Sequence, residues 1–185
     1  MVQPRAEKLA DPADLAALLG VRTNHPRVGP ALDAASARFR GAVRHPVTRS
    51  RTHTVLDGSG VRDLLLPAVQ VTSALVHLRP ADGISPMTPL VRGRDFQVSS
   101  RFGILRRTNG VWPDQLDAVD VDVEHGWEVV PDDIAEAVLE QAAAVFRGRP
   151  GIQSLAVGAE ATTWTPGVSE AWKTAVDRYH IGRRS

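Results

Sequence analysis

The chain of 185 residues contains no cysteine, which excludes a disulfide frame and any thiolate metal site. That absence fits a reducing cytoplasm, or a particle assembled in one. No apolar run reaches the roughly 18 residues that a membrane span requires. The opening Met1-Val2-Gln3-Pro4-Arg5-Ala6-Glu7-Lys8 has no apolar core, which predicts no secretory leader. Excess charge of one sign is also missing. The net charge is +1, whereas a protein that grips the DNA backbone usually carries a basic surplus. Lysine is nearly absent, since Lys8 and Lys173 are the only lysines among 22 basic residues. Arginine suits bidentate ion pairs and packed interfaces. GC-rich codon usage is the plainer cause.

The residue patterns of chemistry are missing as well. Of the six histidines, His25, His45, His53, His77, His125 and His180, none has the i, i+4 spacing of a helical metal pair. Gly58-Ser59-Gly60 lacks the outer pattern of a nucleophile elbow, and no Gly-Lys-Ser/Thr follows it to make a phosphate loop. It reads as the turn of a β-hairpin joining 52–56 to 61–66. No catalysis, cofactor or resident metal is expected.

What is present is an ordinary globular composition, 43% hydrophobic and 23% charged, in a length that suits one domain or one domain with an insertion. Asp11-Pro12-Ala13-Asp14 predicts a capped helix over 11–20 with Leu15, Leu18 and Leu19 on its apolar face. A second helix is predicted over 30–44, with Leu32, Ala35, Phe39 and Val43 inward and Arg38, Arg40 and Arg44 off that stripe. The period then changes to that of strands. Val69–Leu78, Phe96–Val98, Ile104–Arg106 and Asp117–His125 are strand candidates, and 79–94 reads as a long loop. Pro131-Asp132-Asp133 opens a third helix over 131–147 with a wide apolar face that includes Ala135 and Leu139. Residues 152–167 read as extended, and Ser169 caps a last helix bearing Trp172, Ala175, Val176 and Tyr179. The expected fold is α+β, a small helical bundle with a β-rich insertion over 51–127 between helices two and three, and a C-terminal helical arm. The expected division is a domain over 1–147 and an extended, docking segment over 148–185.

Two sets of residues invite a functional reading. Asp120, Asp122 and Glu124 alternate with valines, so the three carboxylates share one strand face. Hard cations favour such oxygens. A solvated face is the plainer reading, and a face that meets arginines of a sister subunit, or lines a DNA channel, is a third. Trp172, Val176, Tyr179 and Ile181, followed by Arg183 and Arg184, either fold back on the bundle or form an arm for another protein. Trp112 and Trp127 stand at strand ends, where they cover a core edge or stack on bases.

The ordered series of segments carries a resemblance. It starts with Asp14-Leu15-Ala16-Ala17-Leu18-Leu19-Gly20 and Thr54-Val55-Leu56-Asp57-Gly58-Ser59-Gly60-Val61-Arg62-Asp63-Leu64-Leu65-Leu66-Pro67. Val71-Thr72-Ser73-Ala74-Leu75-Val76, Gly103-Ile104-Leu105-Arg106-Arg107 and Trp112-Pro113 follow. Val119-Asp120-Val121-Asp122-Val123-Glu124-His125-Gly126-Trp127 then runs into Val130-Pro131-Asp132-Asp133-Ile134. Over roughly residues 9–147 the chain resembles the head-tail connector, or adaptor, proteins of long-tailed bacteriophages. The segment from Arg79 to Arg94 is longer than that family's, and the region after Gly148 departs from it.

The resemblance implies a virion protein of the neck, made in the bacterial host cytoplasm, in a ring of about twelve copies with heterologous contacts. It implies a portal protein above, a stopper or tail protein below, and DNA passing through without sequence-specific binding. On that reading Trp172, Val176, Tyr179, Ile181, Arg183 and Arg184 dock the portal, while Arg38, Arg40, Arg44, Asp120, Asp122 and Glu124 face a neighbouring subunit or the channel. Alternative readings are another neck or tail ring component, such as a stopper or tail terminator, and a nucleic-acid-binding module. A small hydrolase or metal enzyme lacks any supporting motif.

Overall fold

Asp11 accepts a hydrogen bond from the Ala13 N–H (2.7 Å) and thereby caps α1 (Pro12–Leu19), which Gly20 closes at φ 66°. The computed structural model describes residues 8–148, 154–157, 160–163 and 168–181. α2 spans Val28–Val43 and so starts before Pro30. A proline is harmless in a first turn, where backbone N–H groups have no helical partner. The first full-turn bond runs from Ala31 N–H to the Arg27 carbonyl (3.1 Å). Arg44 ends α2 in the left-handed region (φ 62°), because His45 precedes a proline and is disfavoured as helix. α3 (Asp132–Arg147) carries two carboxylates in its first turn, and α4 (Glu170–Tyr179) is capped by Ser169 Oγ, which accepts from Trp172 N–H (3.1 Å).

These helices form one of two compact units, made from the chain before residue 45 and after residue 128. α1 packs on α2 and α3, and α4 packs on the same two helices. Leu15, Leu32, Phe39, Val43, Ile134, Val138 and Trp172 are buried there. The expected apolar face of α1 is corrected in part. Leu15 and Ala16 are buried, but Leu18 is 52% exposed.

The second unit, His45–Glu128, is all β. Its strands are β1 (Ser50–Leu56), β2 (Asp63–Leu65), β3 (Ser73–Leu78), β4 (Thr88–Leu90), β5 (Phe96–Ser99), β6 (Ile104–Arg107) and β7 (Val119–His125). They form a four-stranded sheet in the order β1-β7-β3-β4 and a three-stranded sheet in the order β2-β6-β5, antiparallel throughout. One buried cluster joins both sheets: Leu64, Phe96, Leu105, Trp112, Val76, Val119, Val121 and Val123 belong to it. Trp112 is fully buried, and its Nε1–H donates to the Leu105 carbonyl (3.3 Å). Core packing is thus its role.

The expected hairpin at Gly58-Ser59-Gly60 does not form. β1 pairs with β7 and β2 with β6, so residues 57–60 carry the chain from one sheet to the other. Long-range pairing wins because β7 offers a full seven-residue register, from Ser50↔His125 to Leu56↔Val119. The crossing turn is locked in place. Gly58 N–H donates to the Gln115 carbonyl (2.8 Å), and a Cβ at Gly58 would stand 1.7 Å from the Pro113 carbonyl oxygen. The segment 79–94, expected as a loop, contains β4, which pairs with β3 through Val76↔Leu90. Pro89 cannot donate to a ladder, which suits an edge strand.

Outside these two sheets, β8 (Ser154–Val157) and β9 (Glu160–Thr163) pair as an antiparallel hairpin within the stretch expected to be extended.

Candidate assembly surfaces

The valines of β7 point into the core, so Asp120, Asp122 and Glu124 share the outer face of the four-stranded sheet. The neighbouring strand supplies cations to that face. Arg51 donates to both carboxylate oxygens of Asp122 (Nε 2.7 Å, Nη2 2.5 Å), and His53 Nε2 lies 3.1 Å from Asp120 Oδ1. Arg49 stands 3.9 Å from Glu124 and 3.8 Å from Glu128. The Arg51 hydrogen bonds hold the Asp122 carboxyl below the usual carboxylate range. The row is therefore an acid–base ladder within one chain. Cations already occupy its oxygens, which removes the ligands that a metal reading needs. Among the described residues, no cluster of three or more His, Cys, Asp or Glu is arranged to hold a metal. Sequence reasoning read the carboxylates and missed their partners. The signal was the matching alternation of Arg49, Arg51 and His53.

On the inner side of the same strand, His125 is buried, and its Nε2 lies 3.0 Å from Thr52 Oγ1. Burial lowers its pKa, because the charged imidazolium loses water there.

The C-terminal helix lies on the helical unit. Trp172 is 6% exposed and meets Phe39 edge-on, with ring centroids 5.1 Å apart at 87°. Val176, Tyr179 and Ile181 are half-buried. Asp133, at the start of α3, accepts from Tyr179 Oη–H (3.0 Å) and from Arg178 Nη1–H (2.7 Å). Burial, followed by the Asp133 contact, raises the Tyr179 hydroxyl above its ordinary value. Ile181 N–H donates to the Val43 carbonyl (3.1 Å). Trp172 therefore packs in the core of the bundle, the fold-back placement of the two that the sequence left open. Arg183 and Arg184 lie outside the described residues.

On α2, Arg38 and Arg44 are exposed and Arg40 is half-buried. They belong to the helical unit, whereas the β7 row belongs to the β unit. A further surface was not read from the sequence. α1 and α3 flank a groove of about 700 Å³ whose floor includes Leu18, Ala135 and Leu139 and whose rim carries Asp14, Asp132, Glu136 and Glu140. Its sequence signal was the i, i+4, i+8 spacing of Asp132, Glu136 and Glu140. In the β unit, Ile84 (91% exposed) and Leu116 (76% exposed) are apolar side chains left in water.

Comparison with solved structures gives this arrangement a precedent. A chain in the neck of an empty GTA particle with C6 symmetry matches 100% of this chain and 95% of its own length, with a TM-score of 0.63 and 17% identity. The fold is similar to that of this neck chain. A chain in the virion of the native gene transfer agent particle matches at a TM-score of 0.63 and 19% identity, covering 100% of this chain and 95% of the other. A chain in the neck of the native particle with C12 symmetry matches at 0.61 and 17% identity, covering 94% and 89%. At these identities, shared fold is what the neck chains and this one have in common. No family model matches the sequence, and no curated protein sequence does so.

Proposed function

We propose that this chain is a structural subunit of the head-to-tail adaptor ring of a tailed-phage-like particle, sitting between portal and stopper or tail and surrounding the DNA channel. The observation that carries the reading is the fold likeness to neck chains over the whole length, helices and β unit alike. A likeness limited to one unit would have left the other free for any task. The ordered resemblance of residues 9–147 to phage adaptors lies in the sequence itself and supports the same place in a particle.

In this reading about twelve copies close a ring through heterologous contacts, one face of each subunit on a different face of the next. The segment 148–185 serves the portal contact. Trp172 contributes by fixing α4 to the bundle, while Arg183 and Arg184 supply charge at the end of the chain. The exposed apolar side chains of the β unit suit the stopper or tail protein below. A sheet face whose carboxylates already hold arginines has few free cations for a phosphate backbone, which suits DNA that passes without being gripped. The work is binding, with no chemical step.

Electron cryo-microscopy of assembled particles tests the reading. A ring of identical copies directly below the portal, fitted by this fold, is the expected result. Density for the chain elsewhere, or a single copy in the neck, overturns it. Placement at the lower end of the neck or at the tail favours a stopper or terminator instead.

A further inference from the structure

The groove between α1 and α3 is open although it has the makings of an interior. Leu139 and Ala135 belong to the apolar face of α3, yet both are only half-buried, and Leu18 of α1 is 52% exposed beside them. Its rim is under electrostatic stress. Asp132, Glu136 and Glu140 follow one another at i, i+4 spacing, which places like charges side by side on the helix. Asp14 adds a fourth carboxylate from α1. None of these four has an ion pair within the described residues. This contrasts with the β7 row, whose carboxylates are held by the chain's own cations.

The same unit carries a surface of complementary shape and sign. α2 packs on both α1 and α3, and its buried residues Leu32, Ala35, Phe39 and Val43 turn towards the bundle. Its reverse side exposes Ala37, Arg38, Gly41 and Arg44. Ala37, Gly41 and Arg44 fall on one line of the helix at i, i+4, i+7, with Arg38 on the flank. The two small residues make a low ridge that can enter a groove. Arg38 and Arg44 have no carboxylate partner among the described residues. α1, α2 and α3 each pack on the other two, and the groove is lined by α1 and α3 alone while the ridge is the exposed side of α2, so groove and ridge are separate faces of one unit. A head-to-tail ring needs two different, complementary faces set apart in this way.

We propose that the α1–α3 groove receives the α2 ridge of the next copy of this chain, with Leu18 and Leu139 against Ala37 and Gly41, and Arg38 and Arg44 among Asp14, Asp132, Glu136 and Glu140. The proposal rests on the ring reading and deepens it. It also moves the partner of the α2 arginines from the β7 row to the helical unit.

Charge reversal in two complementary variants tests it. Asp132→Arg with Glu136→Arg and Glu140→Arg makes the groove basic, leaving Asp14 as its one carboxylate, and Arg38→Glu with Arg44→Glu makes the ridge acidic. Each variant alone sets groove and ridge of the same net sign against one another. Self-association measured by native mass spectrometry and sedimentation should fall at least about 100-fold. An equimolar mixture pairs basic groove with acidic ridge and acidic groove with basic ridge. It should recover association in assemblies that contain equal numbers of the two variants. Recovery on mixing also shows that both variants are folded.

Wild-type association that survives both reversals overturns the proposed contact and leaves the ring intact. Loss without recovery on mixing overturns it too. A wild-type chain still monomeric at about 0.1 mM protein and 10 mM salt, where exposed charges act over roughly 30 Å, overturns the contact while leaving the ring to be decided by particle imaging.

Discussion

Replacing Trp172 by alanine separates a helix that belongs to the fold from an arm held ready for a partner. The indole is 6% exposed and meets Phe39, itself fully buried, at 5.1 Å and 87°. Truncating a buried tryptophan typically costs about 3–5 kcal/mol, of which an edge-to-face pair accounts for about 0.5–1.5 kcal/mol. A ten-residue helix does not stand alone in water, so α4 can detach once its anchor is gone. Detachment limits the cost, because the lost free energy cannot exceed what docking α4 contributes. About 3 kcal/mol is therefore expected, a fall in Tm of roughly 6–12 °C for a protein of this size. Scanning calorimetry of the Trp172→Ala chain reads this directly. Lys173→Ala, on the exposed side of the same helix, is the control and should leave Tm unchanged. A Trp172→Ala chain within about 2 °C of wild type would refute the packing argument, since that shift corresponds to less than about 1 kcal/mol. If portal binding were lost at the same time, Trp172 would be a contact residue after all.

Three other outcomes follow from the same kind of reasoning. Gly103 sits at φ 60° and a Cβ there would stand 1.7 Å from the Ala68 carbonyl oxygen, so Gly103→Ala should lower the free energy of urea unfolding by about 2 kcal/mol or more. His125 is kept neutral by burial, while the unfolded chain takes up a proton at its ordinary value of about 6.5. Stability is thus full above that pH and declines as pH falls through it towards the lower folded value, by up to about 1.4 kcal/mol per unit. Denaturant titrations from pH 7.5 to 5 should show this slope, and His125→Gln should flatten it. Asp11→Ala removes the cap on α1 and should cost about 1 kcal/mol in chemical denaturation, with Asp11→Asn nearly neutral.

The helices were legible because their signals are local. Asp11-Pro12, the carboxylates of 132–133 and Ser169 each mark a start through chemistry confined to one turn. The strand at 119–125 was legible for a similar reason, since strict alternation has only one reading. The partner of that strand was not legible. Gly58-Ser59-Gly60 is a favourable hairpin turn by composition, but pairing is decided by which distant segment fills the register. Val119–His125 lies more than sixty residues away from the strand it joins. The same distance hid the partners of Asp120 and Asp122. Arg51 and His53 are ordinary in sequence and become a ladder only when β1 lies beside β7. The surfaces of α1 and α3 erred in the opposite direction. Their apolar faces predicted burial, and Leu18 stays exposed and Leu139 half-buried because no third element among the described residues of the helical unit lies over them.

The β unit begins and ends at one place. Thr48 bridges Trp127, Arg49 N–H donates to the Trp127 carbonyl (2.9 Å), and Trp127 N–H donates to the Val47 carbonyl (2.8 Å). Two strands of chain stitched at their base make residues 45–128 a cassette. A short turn can replace it without dragging apart the helices on either side, and a foreign module with closely spaced ends can be grafted in its stead. The cassette and the helical part can therefore diverge or be exchanged separately, with residues 45 and 128 as the seam between them.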